Sequence, residues 1–243
     1  MAVIQDTFTE AGDTALASHT PDTGTSWSEA LNSSAGYVQV NAANDYAEST
    51  VSENSCAIIM VANPAPGVAD ADVEVTLPGV ETVSGTKDFY IIGRYQDTSN
   101  FYAIRLLPTT EANYAELLKV VSGSYTSLDT ATPGLAADDV WKLEMVGTAI
   151  KGYRDSGAGY VEVLSATDSD ISSAGNGGLG WGDIGPIGGH VRPAWKADDF
   201  TVTASVTAGF QLLWEVGLNM GSVPAEGELS IPVAMYDYRR RRV

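Results

Sequence analysis

Hydrophobic and polar residues alternate with period two along much of the chain. Ala71, Val73, Val75 and Leu77 alternate with Asp72, Glu74 and Thr76, and Trp141, Leu143 and Met145 alternate with Lys142 and Glu144. Successive side chains of an extended chain point to opposite faces, so each run predicts a strand with one buried and one wet face. Phe89 to Tyr95 and Phe101 to Leu107 flank the polar stretch Gln96-Asp97-Thr98-Ser99-Asn100, the pattern of a hairpin. Tyr114 to Val121 and Tyr160 to Leu164 read as further strands bounded by Gly, Ser or Asp, and no long amphipathic helix stands out. About a dozen short strands with polar turns predict an all-β chain, an antiparallel two-sheet β-sandwich of jelly-roll type.

Two matching segments bound this pattern. Asp6-Thr7-Phe8-Thr9 near the start and Asp198-Asp199-Phe200-Thr201-Val202 near residue 200 each place acid before Phe and Thr, which suits two strand ends lying side by side. Their pairing would close a domain over residues 1–205 and leave 206–243 as an addition. In that addition Phe210, Leu212, Trp214, Val216, Leu218 and Met220 form one period-two stripe. Leu229, Ile231, Val233 and Met235 form a second, after a turn-rich stretch ending at Gly227. The pattern predicts a C-terminal β-hairpin, with Pro232 confining its second strand to an edge or bulge. An isolated hairpin is marginal in water, and burying six large side chains contributes on the order of 10 kcal/mol before entropy, so the stripe must dock. Its expected partner is either its own sandwich or a neighbouring subunit. The terminal Arg239, Arg240, Arg241 and Arg242 favour a second, acidic surface, against the simpler reading of a solvated tail.

Residues 171–197 break the alternation. Gly175, Gly177, Gly178, Gly180, Gly182, Gly185, Gly188 and Gly189 lie there with Trp181, His190 and Trp195, and the segment reads as a long functional loop.

Charge narrows the partners. Of 243 residues, 31 are acidic and 13 basic, a formal net charge of −18. Setting the four terminal arginines aside leaves 31 acids and 9 bases, a body near −22. Nucleic acid would be repelled by such a body. No stretch approaches the ~18 apolar residues of a membrane span. The first residues carry neither a charged start nor an apolar run of signal-peptide length, so synthesis in a cytoplasm without a cleaved signal is expected. Cys56, the one cysteine, precedes Ala57, Ile58, Ile59 and Met60 and reads as a buried strand thiol.

Motifs for chemistry are sparse. Gly175-Asn176-Gly177-Gly178-Leu179-Gly180 fits the dinucleotide glycine pattern, but no helix pattern follows it. Two histidines and one cysteine cannot cage zinc. Oxygen donors are plentiful at expected loops and strand ends, among them Asp13, Asp22, Asp168, Asp170, Asp183 and the pair Asp198 and Asp199. That pair is the candidate calcium site, with solvated acids as the alternative. Asp70, Asp72 and Glu74 share the spacing of paired catalytic carboxylates, yet they alternate with an apolar stripe and read as solvent-facing. Trp27, Trp181 and Trp195 sit in Gly-, Ser- or Pro-rich surroundings and are the candidate sugar-stacking rings, with core packing as the alternative.

The order of several segments resembles a known superfamily. These are Asp6 to Phe8, Leu16 to Trp27, Gly93-Arg94-Tyr95 with Asn100-Phe101-Tyr102, Trp141 to Gly147, and Lys196 to Val202. Over residues 4–204 this is similar to the concanavalin A-like lectin/glucanase superfamily, in the laminin G-like form found in bacterial surface and tailed-phage structural proteins. The resemblance implies a jelly roll that binds glycans, binds proteins or serves as a decoration module. The E-x-D-x-x-E strand of the glucanase branch is not found, which argues against hydrolysis. The expectation drawn is a non-enzymatic virion subunit, a capsid decoration or tail protein. It would be made in the host cytoplasm, assemble with other virion proteins and with itself, and display a glycan-binding surface. A carbohydrate-binding module or adhesin is the alternative, and a polysaccharide hydrolase or lyase comes last. No cofactor is expected beyond calcium, and neither nucleic acid nor membrane is an expected partner.

Overall fold

The computed structural model describes residues 2–33, 36–50, 57–79, 88–108, 113–182, 184 and 195–205, without the side chains of Ala2, Pro108 and Asn113. The expected C-terminal hairpin and arginine cluster, Cys56, Asp183 and His190 lie outside the described residues.

In chain order the strands are β1 (Ala2–Asp6), β2 (Thr14–Ala15), β3 (Ser26–Asn32), β4 (Val38–Asn41), β5 (Tyr46–Ser49), β6 (Ala57–Asn63), β7 (Ala71–Leu77) and β8 (Phe89–Asp97). They continue with β9 (Asn100–Pro108), β10 (Asn113–Val121), β11 (Ser124–Ala131), β12 (Asp139–Val146), β13 (Ala149–Asp155), β14 (Val161–Thr167), β15 (Asn176–Gly182) and β16 (Lys196–Ala204). A single 3-10 turn, Leu16–Ser18, is the one helical element among the described residues. The strands form two antiparallel sheets of a sandwich. One runs β14-β13-β12-β7-β16-β5-β4-β2 with β1 also on β16, and the other runs β11-β10-β9-β8-β15-β6-β3.

The expected closure forms, but mostly through residues ahead of the first matching segment: β1 lies antiparallel to β16, with Asp6 opposite Phe200 and Ile4 opposite Val202, while Thr7, Phe8 and Thr9 lie beyond the end of β1. β7 and β12 keep the alternation of their sequences, apolar inward and half-buried polar outward. Between the sheets, Val73, Val75, Trp141, Leu143 and Phe200 from one side meet Ile58, Met60, Ile91, Ile104 and Trp181 from the other.

The second sheet is apolar on both faces. Ile59, Val61, Tyr90, Ile92, Phe101, Ala103 and Leu118 form a second buried cluster on the face away from the core. That is why β6 and β8 read as continuous apolar runs rather than alternations.

The glycine-rich stretch is where structure and expectation part. Part of it is β15, a buried central strand between β8 and β6 rather than a loop. Its glycines let neighbouring chains approach closely. A Cβ on Gly177 would lie 2.6 Å from the Val202 side chain, and one on Gly178 would collide with the Met60 carbonyl oxygen. The spacing therefore serves packing, not a phosphate-binding turn.

Candidate functional site

At one end of the second sheet, β8 departs from regular pairing between Gly93 and Asp97. Arg94, inside this irregularity, has φ +44°, a region that costs a non-glycine residue about 1–2 kcal/mol. Its buried guanidinium donates to the carbonyls of Ala69 (2.8 Å), Gly147 (2.9 Å) and Ile171 (3.0 Å) and lies 3.5 Å from Asp70. Bonds of this kind, made by a charged donor, contribute about 1.5–3 kcal/mol each and outweigh the backbone strain. One side chain thus ties the start of β7, the β12–β13 turn and the segment after β14 to a single point.

The segment from Asp168 to Gly175, between β14 and β15, is further held by the second sheet. The Tyr102 hydroxyl donates to Asp168 Oδ1 at 2.5 Å and accepts the Ile171 backbone N–H at 3.2 Å. Lys119 Nζ donates to Asp168 Oδ2 and, at 2.6 Å, to Asp170 Oδ2. Gln96 Nε2 donates to the Ala174 carbonyl at 2.6 Å. Opposite stands the β8–β9 turn, tighter than the sequence suggests, with Asp97 paired to Asn100. Asp97 Oδ1 accepts from the Ser99 backbone and the Asn100 amide, and Asn100 Oδ1 accepts the Ser122 N–H.

Between the two lies an open cleft of about 250 Å³, lined by Gln96, Asn100, Asp170, Ile171, Ser172 and Ser173. Amides, hydroxyls and one carboxylate dominate the lining. Its volume is just under the ~300–1,000 Å³ of drug-sized ligand sites, so it suits a small ligand or the end of a larger one. Burial, and then the hydrogen bond to Asp168, push the Tyr102 pKa up to about 12. Hydrogen bonds to Asp168 and Asp170 raise that of Lys119. Burial works against the Asp168 charge, but the bonds from Lys119 and Tyr102 outweigh it and hold its pKa below the ordinary value. The cluster therefore sets one ammonium, that of Lys119, between the side chains of Asp168 and Asp170.

Two other polar clusters are mostly buried. Asp6 accepts from Trp27 Nε1 (2.6 Å), the Phe8 N–H (2.8 Å) and His19 Nε2 (2.9 Å), while His19 Nδ1 lies 2.7 Å from Glu10. In the second cluster Arg105 bridges Asp88 (2.6 Å) and Glu116 (3.3 Å) within the outer apolar layer. Asp6, His19, Asp88, Arg105 and Glu116 are buried, with Glu10 the partly exposed member, and these bonds serve the fold.

The candidate sugar-stacking rings fall in the core, a correction to their expected role. Trp27, Trp181 and Trp195 are at most 2% exposed, so none offers a face to a pyranose. Trp27 packs on Phe8 and Phe200, Trp181 donates to the Trp195 carbonyl at 3.0 Å, and both Trp181 and Trp195 pack on Phe89. The physical reason is their place in the strands: Trp27 on β3 and Trp181 on β15 fall in the inter-sheet core, and Trp195, just before β16, joins them there.

Asp198 and Asp199 lie at a bulge where β16 departs from β7, with Asp199 at φ +47°. Asp198 Oδ1 accepts the Asp199 N–H at 2.8 Å. Burial, with the charges of Asp199, Asp45 and Asp6 adding to it, pushes the Asp198 pKa up to about 6. Calcium takes 6–8 oxygen ligands, and no group of three or more His, Cys, Asp or Glu able to hold a metal occurs among the described residues.

Asp72 and Glu74 stand on the outer face of β7 opposite Glu144 and Lys142 of β12, as their alternation implied. The nominated assembly residues Phe210, Leu212, Trp214, Val216, Leu218 and Arg239 to Arg242 lie outside the described residues. The cleft residues escaped sequence reasoning, although Asp168 and Asp170 stood out as loop acids and Gln96 to Asn100 as a polar turn.

The sequence matches no family model and no curated protein. Solved structures do share the fold. A carbohydrate-binding module, CBM66 from Bacillus subtilis, is 15% identical with a TM-score of 0.51, over 73% of this chain and 95% of its own. The calcium- and mannose-bound exoplasmic/lumenal domain of VIP36 is 12% identical with a TM-score of 0.54, over 76% of this chain and 85% of its own. The GH43 protein BlXynB from Bacillus licheniformis is 14% identical with a TM-score of 0.53, over 83% of this chain but 39% of its own. At these identities the likeness establishes the fold alone, an antiparallel two-sheet jelly roll.

Proposed function

We propose that the protein is a non-catalytic glycan-binding module that takes the end of a sugar chain in the cleft between the β8–β9 turn and the Asp170–Ser173 segment. The observation that carries this reading is the cleft itself: an open, polar hollow of about 250 Å³ whose walls are fixed from behind by Arg94, Tyr102 and Lys119. Preorganised amide, hydroxyl and carboxylate groups suit ligands rich in hydroxyls, because little ordering is left to be done on binding. That CBM66 is a carbohydrate-binding module and that VIP36 was solved with mannose adds support from the same fold.

Support for a non-catalytic role comes from Asp168. A glycosidase needs one carboxyl held protonated above its usual range; beside this cleft Lys119 and Tyr102 instead hold Asp168 below its ordinary value, and the raised Asp198 lies elsewhere, at the β16 bulge. Calcium is present in the VIP36 complex, and among the described residues of this chain no group of three or more His, Cys, Asp or Glu able to hold a metal occurs. The virion-assembly reading drew on the resemblance, the acidic composition and C-terminal residues that lie outside those described, and no structural observation among the described residues favours it.

A glycan array followed by calorimetric titration of the best ligand tests the proposal. Specific binding is expected, and Ser172→Phe, at an exposed cleft position, is expected to weaken it about tenfold or more. An array without specific binding would overturn the reading.

A further inference from the structure

We propose that Asp170, held in place by Lys119, is the specificity-determining acceptor of the cleft and selects uncharged sugars over acidic ones; this rests on the glycan-binding reading above. Asp170 is half exposed and lines the cleft, and its Oδ2 is engaged by Lys119 at 2.6 Å. Two carboxylates brought together repel one another unless a cation lies between them. Here the chain supplies that cation, because Lys119 contacts both Asp168 and Asp170. Lys119 is thus a positioning residue, only 15% exposed and engaged by both acids. It is not a free ammonium for capturing an anion.

The charge balance of the site follows. Asp168 and Asp170 stand against the one ammonium, the Arg94 guanidinium behind Ile171 is offset by Asp70, and Asp97 accepts from the Asn100 amide. The site is net negative on a chain of net charge −18. A carboxylate is an acceptor without a proton to donate, so its complement is a hydroxyl or ammonium hydrogen of the ligand. A uronate or sulfated sugar would instead place like charges together in a partly desolvated cleft, which costs affinity steeply.

The test uses an array with matched neutral and acidic sugars (glucose with glucuronate, galactose with galacturonate), then calorimetry with the strongest neutral oligosaccharide. The full chain is expected to bind neutral members only and to be indifferent to EDTA. Asp170→Asn, at an exposed position compatible with folding, is expected to weaken neutral binding about 10- to 100-fold and to raise the signal from the acidic counterpart. Lys119→Met should weaken neutral binding similarly, and Lys119→Arg should restore most of it. Equal or stronger binding of the acidic members, loss of binding in EDTA, or an Asp170→Asn affinity within about twofold of the original would each overturn the inference while leaving glycan binding intact. No binding to any sugar would overturn both.

Discussion

Replacing Asp6 with alanine should bring the domain close to unfolding. Asp6 is fully buried where β1 meets β16, and its carboxylate accepts from Trp27 Nε1, His19 Nε2 and the Phe8 N–H. The last of these closes a local turn that holds Phe8 at φ +48°, a conformation a bulky residue avoids unless it is fixed there. Alanine would leave three buried donors without their acceptor, at about 1–3 kcal/mol each, for a loss on the order of 5 kcal/mol. Domains have only about 5–15 kcal/mol in total. Urea unfolding at pH 6, followed by tryptophan fluorescence and far-ultraviolet circular dichroism, measures the loss directly. Asp6→Asn keeps one acceptor oxygen and should lose about half as much, so it keeps the test readable should Asp6→Ala not fold. A loss under about 1 kcal/mol for Asp6→Ala, within the range of a single ordinary hydrogen bond, would refute the argument that this carboxylate organises the closure.

Other outcomes follow from the same geometry. Burial, the largest influence on His19, opposes its charge, but the bonds and charges of Asp6 and Glu10 outweigh it and raise its pKa. Its contribution is therefore complete below the unfolded value of about 6.5 and is lost as pH rises through the higher folded value. The stability difference between the original chain and His19→Gln, measured by urea unfolding across that range, should shrink with rising pH; a constant or growing difference contradicts the assignment. Gly177→Ala places a Cβ 2.6 Å from Val202 and 3.1 Å from Val73, so calorimetry should show a loss of about 1–3 kcal/mol. Gly12→Ala, with nothing within 4 Å, is the matched control, and equal melting temperatures for the two would contradict the packing role of β15.

How much was legible in the sequence depended on whether the signal was local. β7 and β12 could be read because each residue's environment repeats with the pleat, and the closure of β1 on β16 could be expected because the Asp-Phe-Thr segments match. β15 was hidden because a glycine carries no side chain with which to show period two, and its packing is recorded only in what a Cβ would strike. The tryptophans misled for the same reason: Trp181 and Trp195 have polar and glycine neighbours in sequence but Phe89 in space. Nor could the cleft be read, since Lys119 meets partners 49 and 51 residues away and Arg94 reaches Ile171 across 77.

Nuclear magnetic resonance titration of the isotope-labelled chain with an array-selected neutral oligosaccharide tests the central claim most directly. The account predicts that the shifted backbone amides cluster in Gln96 to Asn100 and Asp170 to Ser173, with Lys119 and Tyr102 responding behind them. Saturable binding with those amides unmoved, and shifts gathered elsewhere on the sandwich, would contradict it.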